Sequence, residues 1–395
     1  MQREPIPVLW LCGPSGVGKS SVGFALFEQI SKTTTAAAYV DLDQLGICYP
    51  APGDDPGNHR LKARNLGDLW PGLRSAGAQC LVVSGVVDDA EEVRRHARML
   101  PGAALTVCRL RVGDDELRAR IARRGALLHL TEASVRNAAE LDRTAFADLV
   151  IDTAGLSVPQ VVALVRDAGW PGRVPPSEVS ALPPPSPAGI DQAPVLWLCG
   201  PPAVGKSTVG FEAFLRVLGD GVPAAYVDLA QIGFCRPAPD DDPDQHRLKA
   251  HLLGRLWPGL RAAGAQCLIV SGNAADRRTV NRYTSAIGSA VWTVCRLRAG
   301  RDTLTERIML RGRGGGPPIM GDELRGLPEA ELHRRATAAA GIAGALEHSG
   351  IGDLVVDTDA REVGELADLI RDKAGGWPGN PVHSPKSATD DSAES

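Results

Sequence analysis

The stretch Gly13-Pro14-Ser15-Gly16-Val17-Gly18-Lys19-Ser20 decides how this chain is read. An apolar run, Val8-Leu9-Trp10-Leu11-Cys12, precedes it, and Ser21-Val22-Gly23-Phe24-Ala25-Leu26-Phe27 follows as the start of a helix. Strand, G-x-x-x-x-G-K-[ST] and helix in that order predict a loop that wraps phosphate. Its glycines let backbone N–H groups turn inward, and the helix N-terminus with Ser20 and Ser21 adds its positive end. Lys19 is then expected on the β- and γ-phosphates of a nucleoside triphosphate, and the Ser20 hydroxyl on Mg²⁺.

The chain repeats the pattern. Gly200-Pro201-Pro202-Ala203-Val204-Gly205-Lys206-Ser207, with Thr208 beyond it, follows Val195-Leu196-Trp197-Leu198-Cys199. Val8 through Arg111 aligns without a gap with Val195 through Arg298, more than half of the positions being identical, so the chain is an internal duplication. The copies diverge after Arg111 and rejoin at Asp148-Leu149-Val150-Ile151-Asp152-Thr153 and Asp353-Leu354-Val355-Val356-Asp357-Thr358. Expected boundaries are a first domain over residues 1–173, a proline-rich linker over 174–193, a second domain over 194–376 and a disordered tail over 377–395.

Within the first copy, strands are expected at 8–12, 37–41, 80–84, 105–110 and 149–151. Helices are expected at 19–31, 59–75, 89–99, 114–124 and 158–168. Short continuous apolar strands separated by helices predict a parallel sheet covered on both faces. The expected fold is therefore α/β, two tandem P-loop domains each able to bury its own core.

Composition narrows the partners. The 395 residues carry 44% hydrophobic and 23% charged side chains with a net charge of -4, which gives no reason to expect nucleic acid or an anionic membrane. No apolar run is long enough to span a bilayer and the N-terminus lacks a signal-peptide core, so a cytoplasmic protein is expected. The 8 cysteines recur one for one in the two copies, form no C-x-x-C pair and fall mostly in apolar runs. They read as buried thiols rather than disulfides or zinc ligands.

The next chemistry-bearing segment is Tyr39-Val40-Asp41-Leu42-Asp43. Extended backbone would put Asp41 and Asp43 on one face, about 7 Å apart. One carboxylate can support Mg²⁺ and the other can orient or deprotonate an acceptor hydroxyl. The second copy reads Tyr226-Val227-Asp228-Leu229-Ala230, keeping the metal candidate and losing the base candidate.

The order GPSGVGKS then VDLDQLG resembles the small P-loop kinases, the group of adenylylsulfate, shikimate and gluconate kinases and chloramphenicol phosphotransferase. There a D-x-D or D-G-D motif after the second strand serves metal and acceptor, which implies those roles for Asp41 and Asp43. Only the phosphate loop is a specific motif; the rest is a likeness of layout. Leu81-Val82-Val83-Ser84-Gly85 ends without the acidic residue of ATPase motors, and neither an N-K-x-D nor an L-S-G-G-Q run occurs.

Two further segments complete the reading. His59-Arg60-Leu61-Lys62 and its counterpart His246-Arg247-Leu248-Lys249 present cations that suit an anionic small-molecule acceptor, or else form a solvated helix face. The helix 114–124 carries Arg120 and Arg124, recurring as Arg307 and Arg311, in the layout of the arginines entering a small-kinase lid. Arginine there neutralises charge during phosphoryl transfer. The expected activity is ATP- and Mg²⁺-dependent phosphorylation of a small molecule. Its catalytic residues are Lys19, Asp43, Arg120 and Arg124, and its metal positions are Ser20 with Asp41 and Ser207 with Asp228. A nucleotide-binding regulatory protein without turnover is the alternative, favoured by Ala230 and by the Pro202-Ala203 loop. The two domains are candidates to pack on one another.

Overall fold

A computed structural model of the chain describes residues 4–124, 128–183, 192–316 and 320–379, with the Arg124 side chain outside that set. The expected tail beyond residue 379 and the linker centre, 184–191, lie outside the described residues.

The strands in chain order are β1 (Ile6–Cys12), β2 (Ala37–Asp41), β3 (Cys48–Tyr49), β4 (Cys80–Ser84), β5 (Ala103–Arg111) and β6 (Leu149–Asp152). The second copy continues with β7 (Pro194–Cys199), β8 (Ala224–Asp228), β9 (Phe234–Arg236), β10 (Cys267–Ser271), β11 (Val291–Arg298) and β12 (Leu354–Asp357). They form two six-stranded sheets, ordered β6-β5-β1-β4-β2-β9 and β12-β11-β7-β10-β8-β3. Five strands of each sheet are parallel, from β1–β4 and β1–β5 outward. Strand β1 is buried at every position, as its continuous apolar sequence requires of a central strand covered on both faces.

The sixth strand of each sheet comes from the other copy. After β2 the chain crosses to β8, where Cys48 opposes Ala225 antiparallel. After β8 it crosses back to β2, where Tyr39 opposes Phe234. Each of these two short straps satisfies backbone groups that an open sheet edge would leave unpaired.

The cores are correspondingly joined. One hydrophobic cluster runs through both copies, including Trp10, Trp70, Trp197 and Trp257. Two others lie on the opposite sheet faces, and each receives one strap residue from the other copy, Phe234 in the first and Ile47 in the second. The two copies therefore do not each close a core of their own, contrary to the reading from length alone. Helices His59–Ser75 and His246–Ala262 pack across the junction. A Cβ on Gly72 would lie 2.8 Å from the His251 ring, and one on Gly259 2.4 Å from Asn65 Oδ1. Glycine costs about 1 kcal/mol in a helix interior, and here close approach between copies offsets it. The two Leu-Trp-Pro-Gly-Leu segments, residues 69–73 and 256–260, lie on this seam.

All eight cysteines are free and buried. No described helix is long and apolar enough to cross a membrane.

Candidate active site

The two phosphate loops leave the carboxyl ends of the central strands β1 and β7. Gly13 has φ 136°, and a Cβ there would sit 2.4 Å from the Leu110 carbonyl oxygen, so only glycine fits this turn. Gly18 (φ 106°) is the left-handed residue that hands the loop to helix Lys19–Ser31. Lys19 is buried and donates to the Pro14 carbonyl at 2.9 Å, holding the loop closed over its own side chain. Burial holds its ammonium below the usual lysine range.

The Ser20 hydroxyl donates to Asp41 Oδ2 at 2.7 Å, across from the loop to the end of β2. Asp41 is pushed above the usual carboxylate range, first by burial and then by the neighbouring charge of Asp43. A buried carboxylate whose direct partner is a hydroxyl lacks positive charge, and a hydrated divalent cation is the group that fits there.

Asp43 does not continue the strand. β2 ends at Asp41, whose Oδ1 accepts the Asp43 N–H at 3.0 Å and caps a helical turn, Leu42–Leu45. The expectation of two carboxylates on one extended face is corrected accordingly: an Asx-type cap wins over the strand. Asp43 instead turns to Lys62, Nζ to Oδ1 at 2.8 Å. Burial raises its affinity for a proton, but half of the side chain (51%) meets solvent. Lys62 and Lys19 outweigh that burial and hold Asp43 below the usual carboxylate range.

The remaining cations of the acceptor segment are paired as well. His59 hydrogen-bonds Glu92 and sits 3.2 Å from Asp88, which together raise its pKa to about 10. Arg60 donates to both oxygens of Asp54. Each candidate for anion recognition in the first copy thus already faces a carboxylate of this chain.

Arg120 braces the loop. Its five N–H donors go to Glu116, the Val17 carbonyl, and the hydroxyl and carbonyl of Thr153. None is left over for a phosphate in this arrangement. Arg307 makes the same bridge from Val204 to Thr358. Arg124 ends the helix Asp114–Arg124, its side chain outside the described residues. Its counterpart Arg311 is tied to both oxygens of Asp322.

The second cradle repeats the first with three changes. Lys206 donates to the Gly200 and Pro201 carbonyls, and burial lowers its pKa to about 8. Asp228 accepts a hydrogen bond from Ser207 and caps the turn through the Ala230 N–H at 2.9 Å. Ala203 holds φ 62°, a left-handed value, where the first copy has Gly16 at 90°. A Cβ on Gly16 would strike Ile121 at 2.5 Å, whereas Ala203 packs against the cluster of Ile308, Leu324 and Leu332. Ala230 leaves Lys249 without the carboxylate that Lys62 has, and burial lowers the pKa of Lys249. His246 meets the Tyr283 hydroxyl at 3.0 Å through one ring nitrogen and lies 3.8 Å from Asp244 through the other, and burial outweighs that carboxylate and lowers its pKa.

Sequence reading missed Asp88, Glu92 and the Lys62–Asp43 pair. A signal was present: Asp88 and Glu92 align with Ala275 and Thr279, so the charges that accompany Asp43 disappear with it.

No protein-family model matches the chain, and no curated protein matches it. Solved structures similar to it include the tunicamycin resistance protein of Deinococcus radiodurans, at 23% identity over 43% of this chain and 98% of that one, TM-score 0.33. A gluconokinase from Sinorhizobium meliloti is 16% identical over 44% of this chain and 100% of that one, TM-score 0.30. The Mycobacterium tuberculosis APS kinase, solved with AMPPNP and APS, is 18% identical over 47% of this chain and 98% of that one, TM-score 0.31. Each similarity has the extent of one copy of the duplication.

Proposed function

We propose that the chain transfers the γ-phosphoryl group of ATP to a hydroxyl of a small molecule in its first copy, and that the second copy holds nucleotide without transfer. The observation that carries this reading is the pair Asp43–Lys62 beside Lys19, set against Ala230 and a Lys249 that has no carboxylate at the position of Asp43.

Lys19 exchanges its Pro14 carbonyl for phosphate oxygens, with the loop N–H groups and the helix N-terminus supplying the rest of the cradle. Mg²⁺ held by Ser20 and Asp41 would supply charge neutralisation across the β- and γ-oxygens. Asp43, kept ionised by two ammonium groups, accepts the acceptor's O–H and fixes its direction toward the phosphorus. A carboxylate of depressed pKa is a weak base, but a loose phosphoryl-transfer transition state asks first for an oriented hydroxyl. The acceptor proton passes to Asp43 as the acceptor oxygen bonds the γ-phosphorus and the bond from that phosphorus to the β,γ-bridging oxygen breaks, releasing ADP. Arg120 positions Val17 and so the loop. Arg124 stays a candidate for the transferring phosphate.

The acceptor faces Asp43, Asp88 and Glu92 as well as Lys62, so a polyhydroxylated or amino-bearing molecule suits this wall as well as an anion. A metabolite-pool screen with γ-labelled ATP tests the proposal. A labelled product that disappears in both Lys19→Ala and Asp43→Ala supports it, and full activity in Asp43→Ala contradicts the role of Asp43.

A further inference from the structure

The two crossing straps put different side chains into equivalent places. In the first copy Phe24, Phe27 and Tyr39 form a ring cluster, with Phe24 edge-on to Tyr39 at 5.4 Å and 86°. In the second, Phe211, Phe214 and Tyr226 repeat it, with Phe211 edge-on to Tyr226 at 5.4 Å and 83°. The strap from the second copy lays Phe234 on the first cluster, 5.2 Å from Phe24 and 5.8 Å from Tyr39. The strap from the first copy offers Ile47 at the matching position, its carbonyl accepting the Tyr226 N–H at 3.0 Å. Three rings meet a fourth on one side; on the other they meet an aliphatic side chain and a space.

That space is a cavity of about 370 Å³. Phe211 forms part of its wall and is 41% exposed, whereas Phe24 is half-buried under Phe234. Ile47, Tyr226, Met320 and Val363 complete its apolar lining. Its polar rim carries the carboxylates of Asp41, Asp228 and Glu212, the amides of Gln44 and Gln231, and the hydroxyls of Ser20, Ser207 and Thr208. Among the described residues no lysine, arginine or histidine lines it. Glu212 pairs through Oε1 with Arg216 at 3.1 Å.

We propose that this cavity is a binding site for a small planar aromatic ligand bearing a cationic or hydrogen-bond-donating group. The ring takes the place against Phe211 and Tyr226 that Phe234 takes against Phe24 and Tyr39, so the chain itself displays the mode of contact. An apolar cavity of about 150 Å³ already accepts benzene, so a ring with a short arm fits the volume here. Edge-to-face contacts favour an aromatic over an aliphatic ring of equal size. The three carboxylates, with no cationic side chain among the described lining residues, favour an amine over a carboxylate. The site touches both metal positions, through Asp41 and Asp228, and its existence does not depend on the transfer reading.

The probes are 2-phenylethylamine, 2-cyclohexylethylamine and phenylacetate, followed on the intact chain by saturation-transfer NMR. A ligand of about nine heavy atoms reaches a dissociation constant on the order of 1 mM. The expected result is saturable transfer to 2-phenylethylamine, at least about tenfold weaker binding of the other two, and loss of the signal in Ile47→Phe, which supplies the missing ring. Ile47→Phe should also raise the melting temperature, because it fills the cavity. If that variant does not fold, Phe211→Ala, at an exposed position, should abolish the signal instead. No transfer to 2-phenylethylamine, or equal transfer in wild type and a folded Ile47→Phe or Phe211→Ala, overturns the site. Equal binding of phenylacetate overturns the assignment of ligand charge.

Discussion

The two acceptor ends of this molecule start from nearly the same sequence and arrive at opposite electrostatics. In the first, Asp43, Asp88 and Glu92 pair Lys62 and His59, and the cations stay charged. In the second, Ala230, Ala275 and Thr279 stand at those positions, and Lys249 and His246 are driven toward their neutral forms by burial. On the proposed reading, a cradle for phosphate survives loss of Asp43, because the cradle is backbone and lysine, whereas transfer would not survive it, because the acceptor hydroxyl would lose the group that aims it. The duplication would then separate holding a nucleotide from using it.

The largest expected effect that breaks this comparison is on rate. Asp43→Ala should lower turnover by about 10²–10⁴-fold, while Lys206→Ala leaves product formation by the first copy in place. Steady-state kinetics on a product found with γ-labelled ATP measures both. Equal losses from the two variants would mean that both cradles take part in transfer.

Next come the two loops at their fourth residue. Gly16→Ala should destabilise by about 2–4 kcal/mol, from left-handed strain and collision with Ile121. Ala203→Gly should stabilise by about 0.5–1 kcal/mol, the strain relieved being partly offset by greater freedom of the unfolded chain. Denaturant unfolding of both variants gives the two signs. A stabilising Gly16→Ala would show the loops to be more alike than their dihedral angles.

A subtler contrast is in the titration of His59 and His246. His59, with its pKa raised to about 10, stabilises the fold fully below about pH 6.5, and that contribution fades as pH climbs toward 10. His246, with its pKa lowered, contributes stability that is present above about pH 6.5 and is lost as pH falls below it. In imidazole NMR spectra at pH 7.5 (a value of about one unit above the free imidazole range) His59 should be charged and His246 neutral. His59→Gln should flatten the alkaline side of the stability profile, and His246→Gln the acid side.

The smallest effect concerns protons taken up on binding. With Lys206 near a pKa of about 8, nucleotide binding at the second cradle should draw in a proton above that pH and weaken as pH rises further. Calorimetry in buffers of different ionisation enthalpy measures it, and Lys206→Arg should remove it.

Much of the fold was legible because the signals are local. Five strands per copy are continuous apolar runs, and the phosphate loop declares both its strand and its helix. The straps were not legible. Cys48–Tyr49 and Phe234–Arg236 are too short to show a period, and their partners lie far along the chain. The grouping of Lys19, Ser20 and Asp41 was legible from the phosphate-loop motif and the end of the second strand, and the structure brings the three together. It was misread where a local hydrogen bond redirects the chain: Asp41 caps a turn and carries Asp43 off the strand. Arg120 fits a lid pattern by spacing, yet the Val17 carbonyl and Thr153 lie within its reach and take its donors. Spacing does not say which of two nearby acceptors an arginine will meet.

The most direct test of the division between holding and using is to count bound AMPPNP and measure γ-phosphoryl transfer on the same preparation of Asp43→Ala. The account predicts two nucleotides bound per chain, as in the wild type, with labelled product lost. Transfer at the wild-type rate, with both nucleotides bound, would contradict it.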